Sequence, residues 1–361
     1  MRENNKKIFV ALSGGVDSSV AAALLKQRGF EVTGVFIKVW HPNFIPCRWR
    51  DDRLDAMRVC AKLKIPFLTF DLEKEYKKEI IDYMISEYKD GRTPNPDVMC
   101  NSYIKFGAFL NRALGSKVDY IATGHYVRKI EKDRKYKLLI GNDDNKDQSY
   151  FLWTLTQKQL KYSLFPTGEF EKKKVRKLAE KFNLPTAKKK DSQGLCFIGK
   201  LDIGDFLKNY IDEKKGNVLN ESGKIIGHHD GTVFLTIGQR HGFTITEKTT
   251  HDKPYYVVSK DISKNTIIVS PKFSRSNLKP RFNLGIKIKD VNWISGEIPD
   301  TSRKYKARIR YRQELQDCKI TRLSDSQAMV EFDKNQDTAA SGQSFVIYDG
   351  EECLGGGIIN I

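Results

Sequence analysis

The segment Ser13-Gly14-Gly15-Val16-Asp17-Ser18-Ser19 has the composition of a loop that binds phosphate groups. Its two glycines allow a tight turn in which backbone N–H groups face an anion, and Ser13, Ser18 and Ser19 add hydroxyl donors. Asp17 would repel phosphate directly, so its presence favours Mg²⁺ between the carboxylate and a bound pyrophosphate group. The bland alternative is a Gly-Gly turn with a serine helix cap.

The same loop excludes several common nucleotide-binding classes. It lacks the GxxxxGK[ST] pattern of a Walker A motif and the GxGxxG spacing of dinucleotide-binding folds. The sequence therefore argues against kinases, GTPases and dehydrogenases. The heptad resembles the signature of the ATP-pyrophosphatase (PP-loop) superfamily, whose members cleave ATP to AMP and pyrophosphate.

Cys100 follows a proline-containing loop and is the first candidate nucleophile. Pro94 and Pro96 prevent a helix up to that point, and Asp97 is the predicted N-cap of the helix that follows. Cys100 would then lie in the first turn, where the helix dipole favours a thiolate. The alternative is a small buried cysteine, against which the polar neighbours argue.

Cys196 is the second candidate nucleophile, and it follows three consecutive lysines, Lys188 to Lys190. Their charge should lower the pKa of the thiol and attract a polyanion. The alternative is a basic solvated loop that runs into a core strand, and composition alone supports the two interpretations equally. If Cys100 and Cys196 meet in space, one could carry a sulfane sulfur and the other could attack to release it.

Strand and helix patterns alternate from residue 6 to about 130. Apolar runs predict strands at 7–12, 32–37, 67–72 and 120–123, and the segments between them have helical periodicity, with Leu54, Met57 and Ala61 marking the second helix. This βαβ order predicts a Rossmann-like parallel sheet covered by helices on both faces. Ligands of such folds bind beyond the carboxyl ends of the strands.

The second half of the chain has a different pattern. Residues 150–210 are mostly helical, and short β-rich runs such as 231–236, 255–258 and 266–269 follow, separated by glycine, asparagine and aspartate. We expect an α/β catalytic domain over 1–210 whose helical part contacts RNA, a small β-rich domain over 211–275 and a C-terminal β-barrel over 276–361.

Charge and composition narrow the partners. The 361 residues carry a formal net charge of +18, which favours a polyanionic partner, nucleic acid first. The alternative is a lysine-rich surface that only maintains solubility. No apolar stretch is long enough to span a bilayer, and the six cysteines are far apart with no CxxC pair, so a reducing cytoplasmic compartment is expected.

Beyond the phosphate loop, the chain resembles the tRNA 2-thiouridylase family along nearly its full length. The matching segments, in the family's order, are 11–19, 91–101, 122–126, 146–152, 189–199, 236–240, 310–313 and 342–344. The resemblance implies that ATP and Mg²⁺ bind the first domain and that O2 of the wobble uridine of tRNA attacks the α-phosphate. Sulfur then replaces the adenylated oxygen, giving 2-thiouridine, AMP and pyrophosphate.

The resemblance also assigns roles to individual residues. Cys196 would carry a persulfide received from a sulfur-carrier protein or a cysteine desulfurase, and Cys100 would release sulfide or close a disulfide with Cys196. The ATP contacts would be Ala11, Leu12, Ser13, Gly14, Gly15, Val16, Asp17, Ser18, Ile37 and Gly124. Asn95, Pro96 and Asp97 would border the flipped-out base, with Asp97 assisting proton transfer. The remaining tRNA contacts would be His125, Lys146, Asp147, Gln148, Tyr311, Arg312 and Gln343.

The sequence departs from the family pattern at two places. Ile37 replaces an expected methionine and should preserve apolar packing on adenine, while 41–52 is basic and aromatic where many relatives are acidic. For His125 a structural role is equally supported.

Two alternative functions are considered. One is another adenylating enzyme, such as an amidotransferase, and the other is a non-catalytic RNA-binding or sulfur-relay protein. Formation of AMP would distinguish an enzyme from a binding protein. We expect a monomer with no membrane contact.

Overall fold

The computed structural model describes residues 5–44, 49–191, 202–246, 253–271, 285–334, 336 and 339–361. Cys47 and Cys196 lie outside these ranges. Among the described residues, no helix combines the length and the apolar character needed to cross a membrane.

The N-terminal part contains a parallel sheet and a hairpin. Its strands are β1 Lys7–Ala11, β2 Glu31–Lys38, β3 Phe67–Asp71, β4 Tyr120–Ala122, β5 Val127–Lys132, β6 Lys135–Ile140 and β7 Ser163–Leu164. The sheet has the order β3-β2-β1-β4-β7 with parallel pairing throughout. Ile8 and Val10 of the central strand are fully buried, as expected of a strand covered on both faces. The predicted Rossmann-like parallel sheet is confirmed.

Helices cover this sheet, and two of them contain widened π-helical turns. The helical segments are Val16–Gln27, Trp49–Leu63, Glu73–Tyr76 continuing through Lys77–Asp82 and Tyr83–Lys89, Pro96–Met99 continuing through Cys100–Phe109 and Leu110–Gly115, Gln157–Lys161, Lys172–Lys181 and Ile203–Leu207. The π-helical parts are Lys77–Asp82 and Cys100–Phe109. Such turns occur frequently at functional sites.

The second helix exists where the apolar spacing predicts it, but it buries a different face. Leu54 and Met57 are exposed, whereas Ala56, Val59 and Cys60 are buried. Cys60 Sγ would lie 2.3 Å from a Cβ placed on Gly34 of β2, so the helix approaches the sheet closely. Small residues on the buried face of the helix allow this approach, and the larger side chains of Leu54 and Met57 are exposed on its other face.

The middle of the chain forms a small mixed sheet. Its strands are β8 Gly216–Leu219, β9 Ile225–His229, β10 Phe243–Ile245, β11 Tyr256–Asp261 and β12 Thr266–Ser270, in the order β10-β9-β8-β12-β11. The strand expected over 231–236 is absent from these described residues, which instead contain a 3₁₀ turn at Thr232–Phe234. Gly231 has φ +153°, and Asn265 Oδ1 accepts from Thr232 N at 3.2 Å, so the segment turns and is held to the loop before β12.

The C-terminal part is a closed barrel. Its strands are β13 Ile286–Trp293, β14 Tyr305–Arg308, β15 Gln316–Arg322, β16 Gln327–Phe332, β17 Ser344–Asp349 and β18 Glu352–Ile359. The order β13-β16-β15-β14-β17-β18 is closed by pairing of β13 with β18. The predicted C-terminal β-barrel is confirmed.

The β5–β6 hairpin was not predicted, and it joins the α/β part of the chain to the C-terminal barrel. Its strand β6 pairs antiparallel with β18 through Leu139↔Glu352 and Leu138↔Cys353. The hairpin, which belongs in sequence to the α/β part, therefore extends the sheet of the barrel. The domain boundaries at 210/211 and 275/276 stay predictions.

Candidate active site

The phosphate loop connects the end of β1 to the helix Val16–Gln27. Gly14 has φ +72°, and a Cβ at this position would lie 2.4 Å from the carbonyl oxygen of Asp52, so only glycine fits. Gly15 precedes the helix in an extended conformation, and no side chain caps the helix. The first N–H groups of a helix lack intrahelical acceptors, and this uncapped end can therefore bind an anion.

The serines of the loop divide into two groups. Ser18 Oγ and Ser19 Oγ donate to the carbonyl of Gly15 at 3.3 and 2.7 Å, and both side chains are buried. Ser13 is exposed, and its backbone N–H donates to Ser18 Oγ at 3.3 Å. The hydroxyl groups of Ser18 and Ser19 thus stabilise the turn, and the expected donation of the three serine hydroxyl groups to phosphate stays a prediction.

Asp17 lies in the first turn of this helix and already has two partners. Its Oδ1 accepts from Tyr126 Oη at 2.6 Å and from Lys172 Nζ at 2.6 Å. Burial, with the charge of Asp17 added, raises the pKa of Tyr126 above its ordinary value, so the phenol stays protonated and donates. No bond between described residues engages Asp17 Oδ2.

Lys172 extends the network to Asp191. Its ammonium lies 2.9 Å from Asp191 Oδ1, which Arg176 also contacts at 2.6 Å, and Lys146 contacts Oδ2 at 2.7 Å. Burial alone would raise the pKa of Asp191, but the hydrogen bonds from Lys146 and Lys172 outweigh it and lower the pKa to about 2. Asp191 is therefore a carboxylate at neutral pH.

Two other predicted nucleotide contacts lie at the carboxyl ends of the strands. A Cβ on Gly124, just beyond β4, would lie 2.6 Å from Ser18 N and 2.7 Å from the carbonyl carbon of Asp17, so Gly124 packs directly on the phosphate loop. Ile37, near the end of β2, is 2% exposed, and its side chain belongs to the core. The expected packing of Ile37 on adenine stays a prediction, and it requires this buried side chain to become accessible.

The helix that carries Cys100 is capped by Asn95, which corrects the prediction of Asp97. Asn95 Oδ1 accepts from Val98 N at 3.3 Å, and Pro96 and Asp97 occupy the first turn. The reason is that Pro96 at the first helical position needs no N–H acceptor, so the helix begins earlier than predicted. Cys100 follows at the start of the π-helical segment.

Cys100 is fully buried, contrary to the expectation of an accessible thiol. Its side chain lies in the same core cluster as Met99, Ile104 and Tyr150. Of the three lysines expected to act on Cys196, Lys189 is paired with Asp52 and Asp55 at 2.7 Å each, which reduces its field. Cys196 itself lies outside the described residues.

The loop before Cys100 is held by the barrel. Gln343 Nε2 donates to the carbonyl groups of Thr93 and Pro94 at 2.8 and 3.2 Å, and Thr93 N donates to the carbonyl of Ser341 at 2.8 Å. Thr93 Oγ1 also lies 3.1 Å from Thr236 Oγ1 in the middle part of the chain. The predicted tRNA residue Gln343 thus fixes the loop that leads to Cys100.

His125 is neutral and buried. Burial, with the ammonium of Lys105 3.5 Å from Nε2, holds the pKa of His125 well below its ordinary value. An ammonium only donates, so Nε2 accepts and Nδ1 carries the proton, donating to Thr123 Oγ1 at 2.8 Å. This favours the structural interpretation of His125 over direct contact with tRNA.

Asp147, expected to contact tRNA, is buried in an ion pair with Arg308 of β14. The two charged groups are 2.5 Å apart, with side-chain exposures of 5% and 9%. Ser149 Oγ donates to the same carboxylate at 2.8 Å, and Tyr348 Oη lies 3.0 Å from Ser149 Oγ. Asp147 therefore joins the α/β part to the barrel.

The other predicted tRNA residues are brought together on one side of this junction. Arg312 is exposed and donates from Nε to the carbonyl of Asn145 at 3.0 Å, directly beside Lys146. The Tyr311 ring packs on Phe151 with ring centroids 4.6 Å apart. Gln148 Oε1 accepts from Tyr126 N at 3.0 Å, so this side chain supports the strand that leads away from the phosphate loop.

Four residues of the site were missed by sequence reasoning: Tyr126, Lys172, Asp191 and Arg308. One signal could have identified Lys172, because it shares a buried helical face with Val175 and Ala179 and so differs from its neighbours Lys173 and Lys174. For Arg308 no local signal exists, since its partner lies 161 residues away.

Comparison with known proteins identifies the family of each part. Residues 6–200 match a family model described as a tRNA methyl transferase HUP domain, 204–271 a tRNA methyl transferase PRC-barrel domain and 283–359 an aminomethyltransferase beta-barrel domain. A tRNA-specific 2-thiouridylase of Geobacillus kaustophilus is 44% identical over 98% of this chain and 94% of its own length. Those of Pseudomonas paraeruginosa and Proteus mirabilis are 46% and 45% identical, covering 98% and 99% of this chain and 94% and 98% of their own lengths.

Such identity across nearly the whole length, together with the phosphate loop and the three matched parts, shows that the chain belongs to the tRNA-specific 2-thiouridylase family.

Proposed function

We propose that this protein catalyses the ATP-dependent 2-thiolation of the wobble uridine of tRNA, giving 2-thiouridine, AMP and pyrophosphate. The observation that carries the proposal is the uncapped phosphate loop at the carboxyl end of a parallel sheet, in a chain that is 44% identical to a 2-thiouridylase over 98% of its length. The loop matches adenylation chemistry, because a carbonyl oxygen is a poor leaving group until it is esterified to AMP.

The first step is activation of the uridine. O2 of the base attacks the α-phosphorus of ATP, the bond to the β-phosphate bridge oxygen breaks, and pyrophosphate leaves. The loop residues 13–18 bind the phosphates through backbone N–H groups, and Gly124 shapes the same cradle by packing on the loop. Ala11 and Leu12, at the end of β1, position the entry to this turn.

Mg²⁺ fits this site as an ion that ATP brings with it. Asp17 offers one carboxylate, and no group of three carboxylate, histidine or cysteine side chains among the described residues forms a metal site of its own. One carboxylate together with substrate phosphates is the usual way proteins hold Mg²⁺. When bound, the ion would neutralise charge on the phosphates.

The second step transfers sulfur from a persulfide on Cys196. In one route the terminal sulfur attacks C2, AMP leaves with the former O2, and the Cys100 thiolate then attacks Cys196 Sγ. The electron pair of the broken S–S bond goes to the sulfur on the base, and a Cys100–Cys196 disulfide remains for a thiol reductant to open. In the other route Cys100 attacks first and releases hydrosulfide, which attacks C2. Both routes stay open.

The buried position of Cys100 places a condition on either route. Its thiol must become accessible when tRNA binds, and Asn95, Pro96 and Asp97, which precede it, are the residues proposed to border the flipped base. Asp97, in the first turn of that helix, is proposed to assist proton transfer. Gln343 supports this region from the barrel through Thr93 and Pro94.

The tRNA partner is supported by the charge of +18 and by the exposed side chain of Arg312 beside Lys146. The Arg312 guanidinium lies over the Tyr311 ring, 5.0 Å from its centroid. We assign Asp147, Gln148 and His125 to positioning this surface rather than to direct contact, because each is engaged within the protein. A persulfide-bearing sulfur carrier or a cysteine desulfurase would supply the sulfur in the cytoplasm, and the chain is expected to act as a monomer.

Mass spectrometry of tRNA nucleosides tests the proposal. The protein, unmodified tRNA, ATP, Mg²⁺ and a sulfide source should yield 2-thiouridine together with AMP in equal amount. The descriptions of two matched parts name methyl transfer, and a parallel reaction with S-adenosylmethionine replacing ATP tests that activity. Methylated uridine in the second reaction and no AMP in the first would overturn the proposed function.

A further inference from the structure

We propose that Lys172 is a phosphate-binding residue of the ATP site and that its bond to Asp17 is the contact it makes when no phosphate is bound. The inference rests on the proposed use of ATP. It starts from the position of the ammonium, 2.6 Å from the carboxylate in the first turn of the phosphate-loop helix.

This position is electrostatically unfavourable for a cation without an anion beside it. The N-terminus of the helix Val16–Gln27 carries the positive end of the helix dipole, and cations are stabilised at the opposite end. Lys172 nevertheless directs its ammonium here, with its side chain only 11% exposed. Asp17 compensates in the absence of substrate, and a triphosphate would do so more strongly.

The ion pairs around Lys172 allow it to change partners. Among the described residues of this cluster, Lys146, Lys172 and Arg176 pair with Asp17 and Asp191. A third carboxylate, Asp143, accepts from the backbone N–H groups of Lys146 and Lys172 at 3.1 and 2.8 Å. Arg176 and Lys146 contact Asp191 independently of Lys172. The Lys172 ammonium can turn to a phosphate oxygen while Asp191 keeps two partners.

The same movement frees Asp17. Tyr126 Oη continues to donate to Asp17 Oδ1 at 2.6 Å, so the carboxylate stays in place after Lys172 leaves it. One ammonium thus serves two states of the site. It neutralises the loop carboxylate before ATP arrives, and it neutralises phosphate charge afterwards.

Three variants test this assignment. Lys172→Met removes the charge, Lys172→Arg keeps it, and Lys177→Met removes an exposed lysine from the same helix as a matched control. Isothermal titration with ATP and, separately, with pyrophosphate measures binding without any sulfur chemistry. We expect Lys172→Met to weaken both ligands about tenfold or more, Lys172→Arg to stay within about threefold of the parent, and Lys177→Met to match the parent.

Equal affinity of Lys172→Met and the parent for both ligands would overturn the assignment and leave a structural ion pair only. If Lys172→Met does not fold, the test uses the ¹⁵N resonance of the Lys172 ammonium in the parent protein. That resonance is identified by its loss in Lys172→Arg. Pyrophosphate should shift that resonance, and an unchanged signal at saturating pyrophosphate would contradict the proposal. If the parent protein binds pyrophosphate but forms no thiouridine, the proposed function is refuted. The titrations then still test whether Lys172 binds phosphate.

Discussion

Arg308 and Asp147, separated by 161 residues in sequence, form a buried ion pair that joins the barrel to the α/β part. The carboxylate also accepts from Ser149 N and Gly141 N at 3.1 and 3.2 Å, and Arg308 Nε donates to Tyr348 Oη at 3.1 Å. Both oxygens of the Asp147 carboxylate therefore have partners within the protein. Lys146 and Gln148, on either side of Asp147, depend on this pair for their position.

Removal of Arg308 should strongly destabilise the protein. Arg308→Met leaves the Asp147 carboxylate buried without its cation, which typically costs about 3–5 kcal/mol. Chemical denaturation monitored by circular dichroism measures the loss. Lys306→Met is the control, because its pair with Asp317 is more than half exposed and should contribute at most about 1 kcal/mol. Equal losses of unfolding free energy in the two variants would show that the Arg308–Asp147 pair contributes no more to stability than an exposed ion pair.

Stability should fall on acidification below about pH 6.5, the ordinary pKa of histidine. Burial lowers the pKa of His125, His41 and His229 in the folded state, so the unfolded chain binds protons that the folded chain does not. One fully buried histidine contributes up to about 1.4 kcal/mol per pH unit. Unfolding free energies between pH 7.5 and 5 check this, and His125→Asn should reduce the slope. An unchanged slope would indicate that His125 takes up a proton in the folded protein.

Cys196→Ser should abolish thiolation but leave ATP-dependent adenylation of tRNA intact. The serine hydroxyl cannot form a persulfide, whereas the phosphate loop is unaffected. Thin-layer detection of AMP transferred to tRNA, alongside nucleoside mass spectrometry, separates the two steps. Cys318→Ser serves as the control, since the proposed sulfur transfer does not use that buried barrel thiol, whose pKa burial raises to about 12. Thiolated product from Cys196→Ser would refute the persulfide assignment.

Binding of tRNA should weaken steeply with salt. Each phosphate neutralised by lysine or arginine releases counterions, and the logarithm of the affinity then falls linearly with the logarithm of salt concentration. Filter binding between about 50 and 200 mM salt measures the slope. Arg312→Ala should reduce the magnitude of that slope by about one, as expected for the loss of one phosphate contact. Arg322 lies on β15 of the barrel, and Arg322→Ala should leave the slope unchanged. A flat response in the parent would exclude a broad phosphate interface.

Cys100 should react slowly with a small alkylating reagent in the protein alone. Its side chain is fully buried, so the reagent cannot reach the sulfur until the surrounding core opens. Peptide mapping after timed exposure to iodoacetamide measures the rate, with Cys60 as an internal control whose pKa is raised to about 11 by burial. Addition of tRNA should accelerate Cys100 alone. Rapid labelling of Cys100 without tRNA would contradict the buried position.

The sequence was sufficient for features that depend on neighbouring residues. The phosphate loop, the parallel strands and the barrel each follow from local patterns of glycine, β-branched residues and apolar spacing, and all three were predicted. The roles of Asp147 and Gln343 were not, because their partners are 161 and 250 residues away and no local pattern identifies them.

The hairpin β5–β6 was missed for a different reason. Its turn residues Asp133 and Arg134 both have positive φ, of 54° and 61°, where asparagine and glycine are the usual signal. Its strands carry several lysines, and apolar and polar residues alternate only weakly along them. Tertiary pairing with β18 therefore supplies the stability that the local sequence does not.

That pairing also sets an order of events during protein synthesis. The ribosome completes β6 long before β18, since Lys137 and its ion-pair partner Glu352 are 215 residues apart. Until the last strand emerges, β6 is an open sheet edge in a growing chain, and such edges recruit other chains. The lysines at 135 and 137 give this waiting edge a positive charge, which discourages association between nascent chains until the C-terminal strand closes it.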